Sequence, residues 1–554
     1  MVKSNFIFFV LLILITSVGC KKAKTPSGPS TYSLSFTVND AYNGTVNYGN
    51  VNLHPKIKFS FTDAVDTSDV NNNFSFTDAA GNTISFVHTI QTDKKSISLE
   101  PAQSLSPLTR YKVGISPSLL SVNGGKLSNP VTITITTTID STDKFPLISD
   151  DELLDLVQKQ TFKYFWDFGH PVSGMARERN ISGDIVTTGG TGFGIMSIIT
   201  AVNRNFISRT DGLLRIQKIV RFLKNNCIRY HGAFAHWING ATGATIPFSE
   251  KDNGADLVET SFLMQGLLCA RQYFNSPDIT ETLLRNDINE LWNGVEWNWF
   301  RQDEQNVLYW HWSPDYNFDM NLPVKGWNEA LITYVLAASS NTDSIPKAVY
   351  DEGWAQNGAI QNGNSYFNIQ LPLGPPMGGP LFFAHYSFLG INPHDLTDGY
   401  ANYWTQNVAH SKINYQYCVD NPLHFNGYSD LCWGLTASDD NVTGYAAHEP
   451  GTDIGVITPS AAISSIPYTP TESMNALKFF YYKIGDKLWG DYGFKDAFNL
   501  TNVWFADSYL AIDQGPQIVM IENYRSGLLW KLFMSCPEIK RGMKALSFSS
   551  PNLE

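Results

Sequence analysis

The spacing of the apolar residues changes near Lys144, and no other feature of the sequence constrains the fold as strongly. Before this point, apolar and polar residues alternate in short segments, which is the period of half-buried β-strands. After it, apolar residues recur three and four positions apart, which is the period of an amphipathic helix. All 14 tryptophans also follow the change, between Trp166 and Trp530. We therefore expect a multidomain chain whose first domain is all-β and whose second is all-α.

The alternating segments predict an N-terminal β-sandwich. They lie at residues 33–38, 56–61, 83–86, 96–99, 111–115 and 131–135. About seven short strands in about 110 residues is typical of an immunoglobulin-like sandwich. The pattern resembles bacterial Ig-like modules, and we place this module at residues 34–140.

The helical pattern predicts a large second domain at residues 148–554. Its apolar stripes lie at residues 153–165, 213–223, 257–273, 329–338, 474–482 and 518–534, and Asp211 is the expected N-cap of the second stripe. No fixed repeat links the stripes, which favours an (α/α)6 toroid over a helical solenoid.

The first 20 residues predict a lipoprotein signal peptide. Lys3 precedes an apolar run at residues 6–15, and small residues precede Cys20. The segment from Ser17 to Cys20 resembles a bacterial lipobox, in which the acylated cysteine becomes the first mature residue. We expect residues 21–33 to form a tether and the protein to be lipid-anchored in the cell envelope, with the side of the membrane open. A buried N-terminal helix is the alternative.

The charge and the cysteines exclude several classes of function. The 39 Lys and Arg residues against 51 Asp and Glu give a net charge of -12, so we expect no nucleic-acid partner. Apart from Cys20 there are five scattered cysteines, without a CxxC pair or an HExxH motif, and at least one thiol stays unpaired. We expect a monomer with no metal and no cofactor.

Two acidic segments are the candidates for catalysis. Asp252, Asp256 and Glu259 are spaced by four and three residues, which on a helix places three carboxylates along one face. Neighbouring carboxylates raise one another's pKa, which keeps a carboxylic acid protonated at neutral pH. Helix capping is the alternative explanation, and it applies equally to Glu329 before the next helix.

Tryptophans cluster between the two acidic segments. Trp297, Trp299, Trp310 and Trp312 surround a polar turn, which suggests a β-hairpin that presents its indoles on one face. Core packing is the alternative, but such a platform beside carboxylates suits sugar rings. The glycine-rich segment 189–194 lacks the spacing of a phosphate loop, so we expect a tight loop that enters a helix at residues 195–202.

Motifs spread over residues 148–550 resemble those of glycoside hydrolase family 144, the endo-β-1,2-glucanases with a glucoamylase-like domain. They lie at residues 189–194, 236–237, 257–260, 311–314, 382–386, 433–439, 512–516 and 521–525. The resemblance implies an (α/α)6 barrel with an acidic cleft and an inverting hydrolysis of β-1,2-glucan by paired carboxylic acids.

The resemblance also implies roles for individual residues. The family's candidate acids correspond to Asp252, Glu259 and Glu329. We expect Glu259 to be the general acid and Glu329 the partner carboxylate, with Asp252 as the alternative for either role. The expected substrate-binding residues are Asp256, His236, Trp237, Trp310, Trp312, His385, Tyr386 and Glu522.

Three other functions stay open at the level of sequence. A non-catalytic glycan-binding lipoprotein would need the tryptophans but no ordered carboxylates. A glucan transglycosylase would use the same fold with a sugar acceptor instead of water. A polysaccharide lyase on the same toroid would act on an acidic sugar through tyrosine, histidine or arginine.

The lipid anchor is directly testable. If Cys20 is acylated, the wild-type protein sediments with membranes and Cys20→Ser is released into the soluble fraction, because the acyl chains supply the membrane affinity. Fractionation followed by immunoblotting measures this. A wild type that is already soluble after secretion would contradict the anchor.

Overall fold

The computed structural model describes residues 30–554. The predicted signal peptide, Cys20 and most of the predicted tether lie outside the described residues. The chain divides into two compact units, one that ends at Ile135 and one that runs from Thr136 to Glu554. From residue 30 onward, no helix is long and apolar enough to cross a membrane.

The first unit consists of two four-stranded sheets and one short strand pair. The sheet orders are β3-β10-β8-β5 and β2-β4-β7-β6, and β1 pairs with β9. The strands are β1 (Thr31–Tyr32), β2 (Leu34–Val38), β3 (Asn47–Val51), β4 (Ile57–Phe61), β5 (Phe74–Asp78), β6 (Phe86–Ile90), β7 (Ser96–Pro101), β8 (Arg110–Ile115), β9 (Lys126–Leu127) and β10 (Thr132–Thr137), with a short helix α1 (Val70–Asn73) before β5.

Alternation of side chains explains how these sheets share one core. In β4 the residues Ile57, Phe59 and Phe61 are buried while the two between them are partly exposed. The ring of Phe59 lies 5.6 Å from that of Phe74 in the other sheet, centroid to centroid. Most predicted strands are present, but β3 and β5 were missed and the strand predicted at residues 83–86 begins only at Phe86.

The predicted tether extends too far toward the sandwich. Thr31 and Tyr32 pair in parallel with Lys126 and Leu127, and Tyr32 is buried. Its hydroxyl donates to the carbonyl oxygen of Leu119 at 2.8 Å. The last tether residues therefore belong to the β module.

The second unit is mainly helical, as the period predicts. Its helices are α2 (Asp150–Trp166), α3 (Thr188–Asn203), α4 (Arg209–Asn225), α5 (Leu257–Tyr273), α6 (Ile279–Asn293), α7 (Leu331–Ser339), α8 (Tyr403–Asp420), α9 (Pro459–Ser464), α10 (Pro470–Lys478), α11 (Gly485–Leu488), α12 (Ala511–Ser526), α13 (Leu528–Met534) and α14 (Pro537–Ala545). The loops carry short strands: β11 (Ile185–Thr187), β12 (Trp237–Asn239), β13 (Thr245–Ile246), β14 (Ala255–Asp256), β15 (His311–Trp312), β16 (Ser365–Tyr366), β17 (Ile369–Gln370), β18 (Ala437–Asp440), β19 (Gly444–Ala447), β20 (Trp489–Gly490), β21 (Gly493–Phe494), β22 (Phe498–Asn499) and β23 (Trp504–Phe505).

Two predictions about helix ends are wrong. The N-cap of α4 is Ser208, whose side chain accepts from the backbone N–H of Asp211, so Asp211 lies inside the first turn. The stripe predicted as one helix at residues 518–534 is broken at Gly527. This residue has φ of 67°, a left-handed conformation that suits glycine and ends α12 before α13 begins.

Glycines allow α3 and α5 to pack backbone against backbone. A Cβ on Gly192 would lie 2.1 Å from the carbonyl oxygen of Phe262, and one on Gly266 would lie 2.2 Å from that of Gly192. The segment 189–194 is therefore the first part of α3 and not the predicted loop. Its glycines are required by the close approach of the two helices.

The segment just before α2 is part of the helical unit. The backbone N–H of Lys144 donates to the carbonyl oxygen of Tyr482 at 2.7 Å, and Phe145 stacks on Tyr481 at 4.5 Å between ring centroids. The N–H of Ile148 donates to the Tyr482 hydroxyl at 3.1 Å. These contacts lie upstream of residue 149.

A fragment that keeps these contacts is expected to fold without the β module. Residues 138–554 should unfold cooperatively, whereas residues 149–554 should melt lower by about 2 °C or more, because the Phe145 stack and two backbone hydrogen bonds are lost. Differential scanning calorimetry on both fragments measures the difference. Equal melting temperatures would show that residues 138–148 contribute nothing to stability.

Candidate active site

Three carboxylates meet at the N-terminus of α5, although not in the predicted way. Only Glu259 lies in the helix. Asp256 is its N-cap, with Oδ1 accepting from the N–H of Glu259 at 2.9 Å, and Asp252 lies in the preceding loop. The prediction of one helical face is wrong, because the helix begins at Leu257. The acids are brought together instead by the extended conformation of Asp256 and by the loop that contains Asp252.

Two imidazoles are inserted among these acids. His236 Nδ1 lies 3.0 Å from Asp256 Oδ2. His311 stands opposite Asp256 in the β14–β15 pair, and its Nε2 lies 3.3 Å from Asp252 Oδ2 and 3.6 Å from Asp256 Oδ2. His236 was predicted from sequence, whereas His311 was only part of a motif.

The paired charges shift the pKa values in opposite directions. Burial alone would lower the pKa of His236, but Glu259, Asp256 and Asp252 raise it to about 9. Burial raises the pKa of Asp256, yet the hydrogen bonds from His236 and His311 outweigh it and lower the pKa below the usual range. At neutral pH Asp256 is therefore ionised beside the cationic His236, and the pKa of His311 on its other side is also raised. Asp252 differs, since burial and the charge of Asp256 raise its pKa to about 6.

Glu259 is held at the N-terminus of α3. Its Oε2 accepts from the N–H of Gly189 at 2.7 Å and from the Thr187 hydroxyl at 3.2 Å. Burial and the neighbouring Asp256 still raise its pKa. A Cβ on Gly189 would lie 2.7 Å from the same oxygen, so the glycine is required for this contact.

Glu329 differs from the other acids by its exposure. It lies just before α7 and is partly exposed, whereas Asp252, Asp256 and Glu259 are buried. The Ser387 hydroxyl donates to its carbonyl oxygen. Burial raises the pKa of the Glu329 side chain to about 7, and the negative charges of Glu259 and Asp256 add to the shift. The site thus contains a carboxyl that is half protonated near neutral pH.

Tyr386 is buried within electrostatic range of these acids and of Asp513, which belongs to a second acidic pair. Its ring packs between Phe193 and Phe262, at 5.2 and 5.6 Å between centroids. Burial raises the pKa of Tyr386, and the charges of Asp513, Tyr445, Glu329 and Glu259 add to the shift.

Asp513 and Asp496 form the second pair, which was missed from the sequence. Asp513 Oδ1 accepts from the Ser460 hydroxyl at 3.2 Å, and Asp496 Oδ2 accepts from the N–H of Asp439 at 2.7 Å. Burial raises the pKa of Asp513 to about 7 and that of Asp496 well above its usual value. The motif at residues 512–516 was noticed, but it contains one isolated acid, and its partner Asp496 lies outside the motif.

An exposed aromatic surface borders the acids. Phe248 is 49% exposed, and its ring lies 4.4 Å from that of His236 and 4.7 Å from that of Trp237. Its N–H donates to the carbonyl oxygen of Asp252 at 2.9 Å. Trp237 was predicted as a sugar-binding residue, whereas Phe248 was missed because a single aromatic in a polar loop carries no pattern.

The predicted tryptophan hairpin is wrong. Residues Trp297–Arg301 form a 3-10 helix, and Trp297 is completely buried. Trp310 and Trp312 are partly exposed, and Trp312 lies in β15, which pairs with β14 and not with the segment of Trp297. The core-packing alternative therefore holds for Trp297.

Besides Tyr386, two more of the predicted substrate-binding residues, His385 and Glu522, are buried. His385 is buried, with Nε2 3.0 Å from the Ser465 hydroxyl, and burial lowers its pKa to about 3. Glu522 is buried and pairs with Arg204 at 2.7 Å. Because Arg204 follows the last turn of α3 and Gly189 lies in the first, Glu522 is separated from Glu259 by about 20 Å.

One group of side chains has the spacing of metal ligands. Potential ligand atoms of His236, Asp252 and Asp256 lie within 4.8 Å of one another. His236 and His311 already contact these carboxylate oxygens, and the positive end of α5 lies at Asp256. The expected absence of a metal stays a prediction.

Comparisons with known families match both units. The Glycoamylase family model matches residues 321–537, and the Bacterial Ig-like domain model matches residues 31–137. The second match confirms the predicted Ig-like character of the N-terminal module.

Related proteins act on β-1,2-linked glucans. An endo-β-1,2-glucanase from Chitinophaga pinensis, solved with sophorotriose and glucose, is 51% identical, with 73% of this chain and 100% of that chain covered and a TM-score of 0.72. A β-1,2-glucanase from Parabacteroides distasonis is 38% identical, with 90% and 72% covered and a TM-score of 0.70. An exo-β-1,2-glucooligosaccharide sophorohydrolase (non-reducing end) from the same species is 46% identical over 72% of this chain, which spans 58% of that relative.

The position of Glu259 can be tested through Gly189. In Gly189→Ala the new methyl group would overlap Glu259 Oε2 and the ring of Phe262, so we expect a loss of stability of about 1–3 kcal/mol and a turnover at least about tenfold lower. Gly399→Ala is the matched control, since no atom lies within 4 Å of its Cβ position. Steady-state kinetics and thermal unfolding measure both effects. Normal turnover in Gly189→Ala would show that the Glu259 position is not needed for activity.

Proposed function

The chain belongs to the glucoamylase-like family that also contains the endo-β-1,2-glucanase of Chitinophaga pinensis, and from this we propose that it hydrolyses β-1,2-glucan. The observation that carries the proposal is a partly exposed carboxyl, Glu329, whose pKa is raised to about 7 by burial and, to a smaller extent, by the charges of Glu259 and Asp256. A non-catalytic glycan-binding protein would have no need of such an arrangement.

We assign the general acid to Glu329, which reverses the expectation from sequence. A general acid must be protonated at the working pH and must reach the glycosidic oxygen. Glu329 meets both conditions, with a pKa near 7 and an exposed part. Glu259 is less able to reach the glycosidic oxygen, because it is buried and its Oε2 accepts two hydrogen bonds from fixed donors.

Glu259 is the proposed catalytic base, with Asp513 as the alternative. An inverting hydrolase places a carboxylate about 6.5–9.5 Å from the acid so that water fits between them. The Gly189 N–H and the Thr187 hydroxyl stabilise the ionised form of Glu259. Asp513 shares a site with Asp496, and its pKa of about 7 leaves it partly ionised near neutral pH.

The remaining groups around the acids suit a glucan. Trp237 and Phe248 offer ring faces on which pyranose rings can stack. Asp252, Asp256 and the two imidazoles offer acceptors and donors for sugar hydroxyls. The related proteins differ in endo and exo action, and we propose endo action because the endo-acting relative is covered along its whole length.

The family number, the arrangement of the helices, the anchoring and the acceptor are further parts of the proposal. We place the helical unit in glycoside hydrolase family 144 with an (α/α)6 arrangement of its helices. We also propose that the protein is a lipid-anchored envelope protein that works without a cofactor. Water as the acceptor, and hence hydrolysis and not transglycosylation, agrees with the names of the three relatives.

Amide substitutions test these roles. Glu329→Gln and Glu259→Gln should each fold normally and lower the turnover of β-1,2-glucan by about a hundredfold or more, the effect of removing acid or base assistance. In the wild type, kcat/KM should fall as the pH rises through about 7, because Glu329 loses the proton that it must donate. This limb should be absent from the residual activity of Glu329→Gln. Reducing-sugar assays over a pH series measure both.

The controls separate catalysis from electrostatics. Glu352→Gln removes an exposed carboxylate and should leave the activity unchanged. Asp513→Asn tests the alternative base. If it loses as much activity as Glu329→Gln while Glu259→Gln stays active, the catalytic base is Asp513 and not Glu259. Wild-type rates for Glu329→Gln would refute the acid assignment.

A further inference from the structure

A shallow aromatic cavity lies on the opposite side of β15 from the acids. It has a volume of 670 Å³, and its lining includes the rings of Trp299, Trp312, Tyr316 and Phe318. Trp299 is 44% exposed and Tyr316 is 37% exposed. We call it the Trp299 cavity. Exposed rings of this size grouped in one depression are typical of a binding surface.

The indole of Trp299 is held in a fixed orientation. It stacks on the ring of His231 at 3.9 Å between centroids and with 14° between the planes. His231 is itself fixed, because Nδ1 lies 3.0 Å from Glu296 Oε2 and its edge packs on Trp312 at 4.9 Å. A stacked sugar would therefore meet a ring that needs no ordering, which reduces the entropy cost of binding.

The cavity adjoins the β14–β15 ribbon, which also carries part of the catalytic site. Trp312 pairs with Ala255 in the β14–β15 ribbon, and the next pair is His311 with Asp256. Side chains alternate along a strand, so His311 faces the acids and Trp312 faces the cavity. A glucan chain that leaves the acids across the edge of this ribbon reaches the cavity.

The remaining lining selects for a neutral polyol. Between the rings lie the amides of Gln302, Asn317 and Asn321 and the carboxylates of Asp303 and Asp319, and no lysine or arginine is among the lining residues. Amides and carboxylates bind sugar hydroxyls. Asp319 is paired with Lys251, so Asp303 is the lining carboxylate that would repel phosphate or uronate groups. A second cavity of 520 Å³ shares Trp299 and includes Glu296 and Asn298, which extends the polar surface.

We propose that the Trp299 cavity binds a distal part of the glucan chain while another part of the same chain occupies the catalytic site. The inference rests on the proposed function for the identity of the glucan. It makes Trp299 a determinant of preference for long chains. The ring takes no part in the chemistry.

The test compares a polymer with a short substrate. Trp299→Ala should raise the KM for long β-1,2-glucan by about two- to tenfold, the range of a lost ring stack, and leave kcat/KM for a β-1,2-linked tetrasaccharide unchanged. Trp299→Phe should recover most of the loss, since it keeps a ring face. Trp404→Ala is the matched control, because Trp404 also stacks on a histidine, His394 at 3.7 Å, in another part of the unit.

Binding is measured independently of turnover by electrophoresis of the same variants in gels that contain soluble β-1,2-glucan. Weaker retardation of Trp299→Ala, with normal thermal unfolding, supports the cavity even if the wild type proves to be a non-hydrolytic binder. Equal retardation of wild type and Trp299→Ala overturns it. An equal loss on polymer and tetrasaccharide also overturns it, because Trp299 would then act within the catalytic site.

Discussion

The close packing of α3 against α5 is the constraint on which the candidate active site depends. Gly192 and Gly266 let the two backbones touch, with no room for a Cβ at either position. This contact brings the first turn of α3 over the first turn of α5, where the Gly189 N–H binds Glu259. Side chains at either glycine would separate the helices and withdraw the donor from a buried carboxylate, which is costly in a medium of low polarity.

Around this contact, the acids differ in how their charge is compensated. Asp256 is ionised between His236 and His311, and Glu259 is bound by two donors. Glu329 has no cationic partner among the described contacts of its side chain, and its burial, together with the charges of Glu259 and Asp256, opposes its ionisation. Acids of one type thus acquire different protonation states through their surroundings, which is how one site provides both a proton donor and carboxylates.

The sequence predicted local order well and long-range convergence poorly. The helix at residues 257–273 was predicted with its observed limits because its apolar stripe is long, and the Ig-like module was recognised from alternation. The spacing of Asp252 and Asp256 suggested a helical face, but the fold joins them through a loop and a cap. Asp496 and Phe248 were missed, since each is a single residue in a loop and only the folding of that loop brings it to its partners. Glu522 was predicted as a site residue because it belongs to a motif. A motif does not give the position of a residue in the fold, and Glu522 lies in the core, paired with Arg204.

The protonation state of Glu329 is the central claim, and a carboxyl titration tests it most directly. In protein labelled with ¹³C at the glutamate side-chain carboxyl, the signal that disappears in Glu329→Gln belongs to this residue. The account predicts that its chemical shift titrates near pH 7. A titration near pH 4.3, the ordinary value for an exposed glutamate, would contradict the account, because Glu329 would then be ionised whenever the enzyme works.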